Sequence, residues 1–214
     1  MTKALKIDEP AEQNERRTQA ERTALSDQKM FEAAVILINQ HGTQGTTLKA
    51  IGEQAGYSRG LANSRFGSKD AFISELFRRF DKRWKKHLRS YTDGLDGVDA
   101  FVAAIHALRD FMRIERVYLR AMYILWYESL GKNSDVRVRL AENHASYRKD
   151  ATGWIASGIK KGEIDPKIDA EQFAVQYCSF IFGIVYQWLV DAEALDLDAV
   201  FAHYEKSARK VLSP

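Results

Sequence analysis

Proline is nearly absent from this chain of 214 residues, occurring only at Pro10, Pro166 and Pro214. Residues 11–165 therefore contain nothing that removes a backbone N–H or clashes with the preceding turn, so long helices are open to them. Cysteine is scarcer still. Cys178 alone can close no internal disulfide, which fits a reducing compartment. The polar stretch MTKALKIDEPAEQNERRTQ has no apolar signal core. The longest apolar run, FIFGIVYQWLV at 180–190, includes Gln187 and falls short of the roughly 20 residues that span a bilayer. These absences lead to the expectation of a soluble, cytoplasmic protein without a membrane partner.

Catalytic and metal signatures are missing as well. No H-E-x-x-H, C-x-x-C or G-x-S-x-G occurs, and no glutamate has histidine three residues later, as di-iron bundles need. The expectation is a protein that is no enzyme, with no metal and no cofactor. Cys178 and His144 could pair as nucleophile and base, but an inert buried cysteine accounts for the same residue.

What is present is ordinary globular composition with uneven charge. Hydrophobic residues make up 45% and charged residues 29%. The net charge is +3, yet residues 1–90 hold 17 Lys+Arg against 11 Asp+Glu, and residues 91–214 hold 15 against 18. A basic N-terminal part (+6) joined to an acidic remainder (−3) suggests a polyanion partner for the first. Solvated faces produce such an imbalance too.

Helical periodicity runs almost throughout. Met30, Phe31, Ala34, Val35, Leu37 and Ile38 form one apolar face, with Gly42 as a stop. Thr46 or Thr47 can cap a second helix bearing Leu48, Ile51 and Ala55. Ser68 can cap a long helix with Phe72, Leu76, Phe80, Trp84 and Leu88 at spacing four. Further helices are expected over 98–112, 117–130, 135–161, 170–192 and 196–212, the last with Leu197, Val200, Phe201, Tyr204 and Val211 on a stripe. The fold class is all-α, with about nine helices.

Between two of these helices lies GYSRGLANSRFGSKD, residues 56–70. A flexible linker, a phosphate loop and a DNA-reading helix are the alternatives. The phosphate loop fails on spacing, since Gly67-Ser68-Lys69 has no glycine five residues earlier. A helix-turn-helix fits: TLKAIGEQA, a turn at Gly56-Tyr57-Ser58, and a second helix from Arg59 to Phe66 capped by Ser58. Ile51, Ala55, Tyr57 and Phe66 would form its small core.

At residues 22–80 the sequence resembles the DNA-binding domain of the TetR family of bacterial transcriptional regulators. The resemblance is carried by FEAAVILINQHG and then TTLKAIGEQAGYSRGLANSRFGSKDAF. It implies a flexible arm at 1–20, a three-helix helix-turn-helix domain at 21–68, and a helical ligand-binding and dimerisation domain at 69–214. It also implies DNA contacts from Thr47, Lys49, Arg59, Gly60, Asn63, Ser64, Arg65 and Lys69. Thr47 resembles the residue that meets phosphate, and Lys69 opens a helix whose N-terminus favours an anion. The family commonly has tyrosine at the position of Asn63, or an aromatic one residue later. An asparagine there could pair with adenine instead. Arg16, Arg17 and Arg22 could form a minor-groove arm. The basic run RRFDKRWKKHLR at 78–89 is better read as a solvated linking helix.

The partners implied by the resemblance are double-stranded DNA with a palindromic operator, a second copy of the chain docked through residues about 170–212, and a small-molecule inducer. Gly183 would permit close helix approach. A largely apolar ligand, with a hydrogen-bonding or acidic group, would be lined by His106, Phe111, Met112, Met122, Tyr123, Trp126, Tyr127, His144, Tyr147 and Tyr177. An aromatic stripe at helical spacing also serves as plain core. The functional expectation is a repressor released by this ligand. The alternative is a ligand-binding bundle without operator binding.

Overall fold

The structure is a computed structural model, and it describes residues 18–131 and 135–214. Among the described residues there are nine α-helices and no strand. Of the expected arm at 1–20, residues 1–17 lie outside the described residues, as do Arg16 and Arg17. Residues 18–20 already belong to the start of a helix. α1 (Gln19–Gly45) opens on a capping box, in which Thr18 Oγ1 accepts from the Glu21 N–H and the Glu21 carboxylate accepts from the Thr18 N–H. Its helical geometry breaks at Gly42, whose φ of 67° is open to glycine. Thr46 then turns inward and donates its hydroxyl to the Gly42 carbonyl at 2.8 Å.

α2 (Leu48–Gln54) and α3 (Leu61–Phe66) are short, and α4 (Lys69–Thr92) is long. α5 (Gly97–Ile114), α6 (Arg116–Ser129) and α7 (Asp135–Lys161) follow, then α8 (Ala170–Val190) and α9 (Leu197–Leu212). α1 packs along α6, α4 along α5, α5 along α7, and α7 along α8. The C-terminal helices thus form a bundle against which the N-terminal three rest.

One buried cluster runs from Met30 on α1 to Leu212 on α9. Its N-terminal end is a triple ring contact. Phe31 stacks on Phe72 at 4.8 Å, and Phe66 meets Phe31 and Phe72 edge-on at 5.4 and 4.8 Å. Each fully buried ring contributes about 1.5–3 kcal/mol. α4 serves both parts: Phe72 belongs to this triple, while Phe80 packs on Phe111, Tyr118 and Trp126.

Two expectations about the last helices need correction. The apolar run at 180–190 continues a 21-residue helix, α8, which is long and apolar enough by composition to cross a membrane. It is a weak candidate, because Phe173, Tyr177, Cys178 and Trp188 are buried in the chain's own core. On α9 the stripe ends differently: Val211 is exposed and Leu212 is buried instead. The buried face is centred toward Phe201 and Ala208, and a residue four positions after Ala208 falls nearer that centre than one three positions after it.

Candidate nucleic-acid interface and ligand cavity

The helix-turn-helix is built from local chemistry. Thr47, not Thr46, caps α2, its hydroxyl accepting from the Ala50 N–H at 3.1 Å. The turn begins at Gly56, with a φ of 79°, where the Tyr57 N–H reaches back to the Gly52 carbonyl at 2.9 Å. Gly52 matters for a different reason. A Cβ there would stand 2.9 Å from the Ser58 carbonyl oxygen, so the turn can cross α2 closely only because that side chain is missing. The expected Ser58 cap is not made. α3 starts later, at Leu61, with Gly60 as its N-cap and no side-chain cap bond; the Leu61 N–H bonds the Ser58 main-chain carbonyl at 3.1 Å. Arg59 and Gly60 therefore belong to the turn rather than to the helix. Ser68 caps α4 as expected, accepting from Ala71 N–H at 3.1 Å.

The residues singled out for DNA fall into two groups. Thr47, Lys49, Arg59, Gly60, Asn63 and Ser64 are exposed. Arg59 pairs with Glu53 at 2.5 Å but stays 74% exposed, free to exchange that partner for another anion. Arg65 and Lys69 are half-buried and engaged within the chain. Arg65 pairs with Asp27 of α1 at 2.8 Å and so fastens α3 to α1. Lys69 Nζ donates to the Thr43 carbonyl. In the basic run of α4, Arg78 and Arg79 share Glu75, Arg83 reaches Glu115, and Lys85 reaches Asp81. These pairs neutralise much of the run.

Thr43 is a junction between the two parts. Its main-chain N–H lies 3.1 Å from Glu128 Oε2, and its hydroxyl donates to the same carboxylate. Glu128 ends α6, the helix that also carries Tyr123 and Trp126. A second link, Asn39 Nδ2 to the Val117 carbonyl at 2.9 Å, ties α1 to the start of α6.

Between α4, α5, α6, α7 and α8 lies a cavity with about 660 Å³ of empty space, its open mouth included. The wall is mostly aromatic and aliphatic, with Asp150 as its one carboxylate. Burial pushes Cys178 up to about 11, so it lines the cavity as a neutral thiol. Burial likewise holds Tyr123 and Tyr177 well above the ordinary tyrosine value. Tyr147 is raised by burial first and then by Asp81, to which its hydroxyl donates at 3.2 Å. Trp126 Nε1 is buried with no partner among the described residues.

A family model described as bacterial regulatory proteins, tetR family, matches residues 31–76, the segment from mid-α1 to Leu76 of α4. Over this segment the chain is similar to the TetR family. It is 25% identical over 174 residues to the HTH-type transcriptional regulator TtgR of Pseudomonas putida, covering 79% of this chain and 82% of that one. It is 22% identical over 180 residues to the HTH-type transcriptional repressor KstR2 of Rhodococcus jostii, covering 82% and 85%. Among solved structures, a transcriptional regulator from Saccharomonospora viridis in complex with choline superposes with a TM-score of 0.78 at 18% identity, covering 89% of this chain and 99% of that one. Each of these proteins is named as a transcriptional regulator, and none as an enzyme.

Within this fold the structure sorts the residues expected around a ligand. Phe111, Tyr123, Trp126, Tyr147 and Tyr177 line the cavity. His106, Met112, Met122, Tyr127 and His144 do not. His106 points toward α9, bonding Glu205 at 3.0 Å. Met112 and Met122 are fully buried in the core. Tyr127 is exposed beside Tyr186. His144 packs on Phe182, and burial lowers its pKa. Sequence reasoning missed the contribution of α4, namely Phe80, Trp84 and Leu88, and, beside Tyr147 on α7, it missed Asp150 and Trp154. The signal was present for α4 in its apolar spacing of four, whose opposite face is the basic run. For α7 it was not, because one helix face carries both Asp150 and Trp154.

Proposed function

We propose that the chain is a repressor that binds a palindromic operator as a dimer and is released when a largely apolar ligand enters the cavity. The division of labour is a DNA-reading part to about residue 68 and a ligand-binding and dimerisation part beyond it. One observation carries this reading: Glu128 and Lys69 converge on Thr43, joining a cavity-lining helix to the helix that follows the DNA-reading motif. A ligand that shifts α6 therefore acts directly on the junction that seats α4. Both relatives are named as regulators of the helix-turn-helix type, one as a repressor, and one structural neighbour is a complex with choline.

In this reading Asn63, Ser64, Thr47 and Lys49 meet DNA directly. Arg59 exchanges Glu53 for a phosphate, and Lys69, whose ammonium has three donors, meets one while keeping the Thr43 carbonyl. Arg65 serves mainly to hold α3 on α1. Gly60 admits close approach of the backbone. The unpaired Trp126 Nε1 would take an acceptor of the ligand. A dimer through α8 and α9 is supported by apolar surface left uncovered: Val175, Tyr186 and Val190 on α8 and Val211 on α9 are between 44% and 70% exposed. Gly183 has open space where a Cβ would stand, which suits a second helix. Dimeric recognition helices must match major grooves about 34 Å apart, and ligand-induced movement of α4 would break that match.

Fluorescence anisotropy with DNA flanking the chain's own gene tests the reading. Tight binding that Asn63→Ala weakens selectively at one base position is expected. Binding indifferent to Asn63→Ala removes the adenine contact, and no binding to any flanking fragment favours the ligand-binding bundle without an operator.

A further inference from the structure

The cavity combines aromatic faces with one unpaired acid. Trp84, Trp126 and Trp154, three of the chain's four tryptophans, line it beside Tyr147 and Tyr177. The faces of such rings attract cations, and more strongly where water is excluded. Asp150 follows Tyr147 by three residues and precedes Trp154 by four, so all three lie on one face of α7. Asp150 stands at the exposed mouth of the cavity, and its carboxylate has no hydrogen-bond or ion-pair partner among the described residues. The cations around it do not fill that role. Lys85 is paired with Asp81 at 2.9 Å, and Arg89 and Lys149 are exposed to solvent. Arg148 lies near His144 and Cys178 but is not part of the wall. Burial of one side of Asp150 raises its carboxyl above the usual value, against the pull of Lys85, Lys149 and Arg89. A positive group seated beside it removes that penalty.

We infer that the cavity takes an organic cation with an apolar body, its ammonium group held between the Asp150 carboxylate and the rings of Trp84 and Trp154. This rests on the cavity being the ligand site of the proposed regulator, and it narrows the ligand class. A carboxylate-bearing ligand, compatible with the sequence alone, would meet Asp150 as a like charge.

Calorimetric titration of the full chain with three probes of similar size tests the inference: phenylbutyltrimethylammonium, phenylpentanol and phenylpentanoate. The ammonium is expected to bind about tenfold tighter than the alcohol, with the carboxylate weakest. Asp150→Asn should reduce the ammonium-to-alcohol preference to about one. That variant loses no internal partner, so its circular dichroism and melting should match the parent. An alcohol or carboxylate that binds as tightly as the ammonium overturns the cation inference and leaves the cavity reading standing. An unchanged preference in Asp150→Asn overturns it as well. Failure of all three probes to bind overturns the cavity reading together with it.

Discussion

Removing the Glu128 carboxylate should loosen the joint between the two parts of the chain by a measurable amount. Glu128 accepts from both the main-chain N–H and the hydroxyl of Thr43, which is only 8% exposed. Hydrogen bonds to a charged group contribute about 1.5–3 kcal/mol, and a donor left buried without a partner costs about 1–3 kcal/mol. Glu128 itself is half-buried, so water takes over part of the lost interaction; about 1–2 kcal/mol is expected for Glu128→Ala. In a chain of this size that lowers Tm by about 2–8 °C. Thr43→Val removes the hydroxyl but keeps the N–H. In a double-mutant cycle of the two, thermal unfolding followed by circular dichroism should give a coupling of about 1 kcal/mol. Effects that add to within about 0.3 kcal/mol would refute the direct bond. The same variant should narrow the difference in operator affinity between ligand-free and ligand-bound protein, because α6 then has one less hold on the end of α1.

Three other outcomes follow from the packing. Phe72→Ala empties the centre of the Phe31–Phe66–Phe72 contact and should cost about 3–5 kcal/mol in urea denaturation. Gly52→Ala drives a methyl against the Ser58 carbonyl and should destabilise by about 1–3 kcal/mol while weakening operator binding in a gel shift; an unaltered melting curve would contradict the close crossing. Asp110 has its carboxyl held below its ordinary value of 3.8, first by the Tyr91 hydroxyl and then by Arg109. A depressed folded-state pKa gives stability that is present above the unfolded value and lost as pH falls through the folded one. Asp110→Asn should therefore lower Tm at neutral pH and flatten the decline of Tm below about pH 4, as a pH series of melts would record.

Most of the helices were legible because their cause is local. The missing prolines, the spacing of apolar residues and the caps at Thr47 and Ser68 place them to within a few residues. α3 was read two residues too early because Ser58 looks like a cap, yet Gly60 takes the capping position and Ser58 only lends its carbonyl. The cavity was half legible. Tyr123, Trp126 and Tyr177 could be named from apolar aromatic runs, but which aromatic faces a void and which faces plain core depends on how five helices cross. No periodicity encodes that, so Met122 and Tyr123, adjacent in sequence, end in different surroundings. The partners of Arg65 and Thr43 were illegible for the same reason: Asp27 and Glu128 lie 38 and 85 residues away.

The salt dependence of operator binding tests the central claim most directly. Each Lys or Arg on a phosphate releases counterions, so log affinity should fall steeply and linearly with log salt between about 50 and about 200 mM. For a dimer bound to a palindrome, Lys69→Ala removes two such contacts and should reduce the slope by about 2. A steep slope reduced in this way is the predicted result. A shallow slope, or one that Lys69→Ala leaves unchanged, would contradict the placing of Lys69 on the DNA backbone.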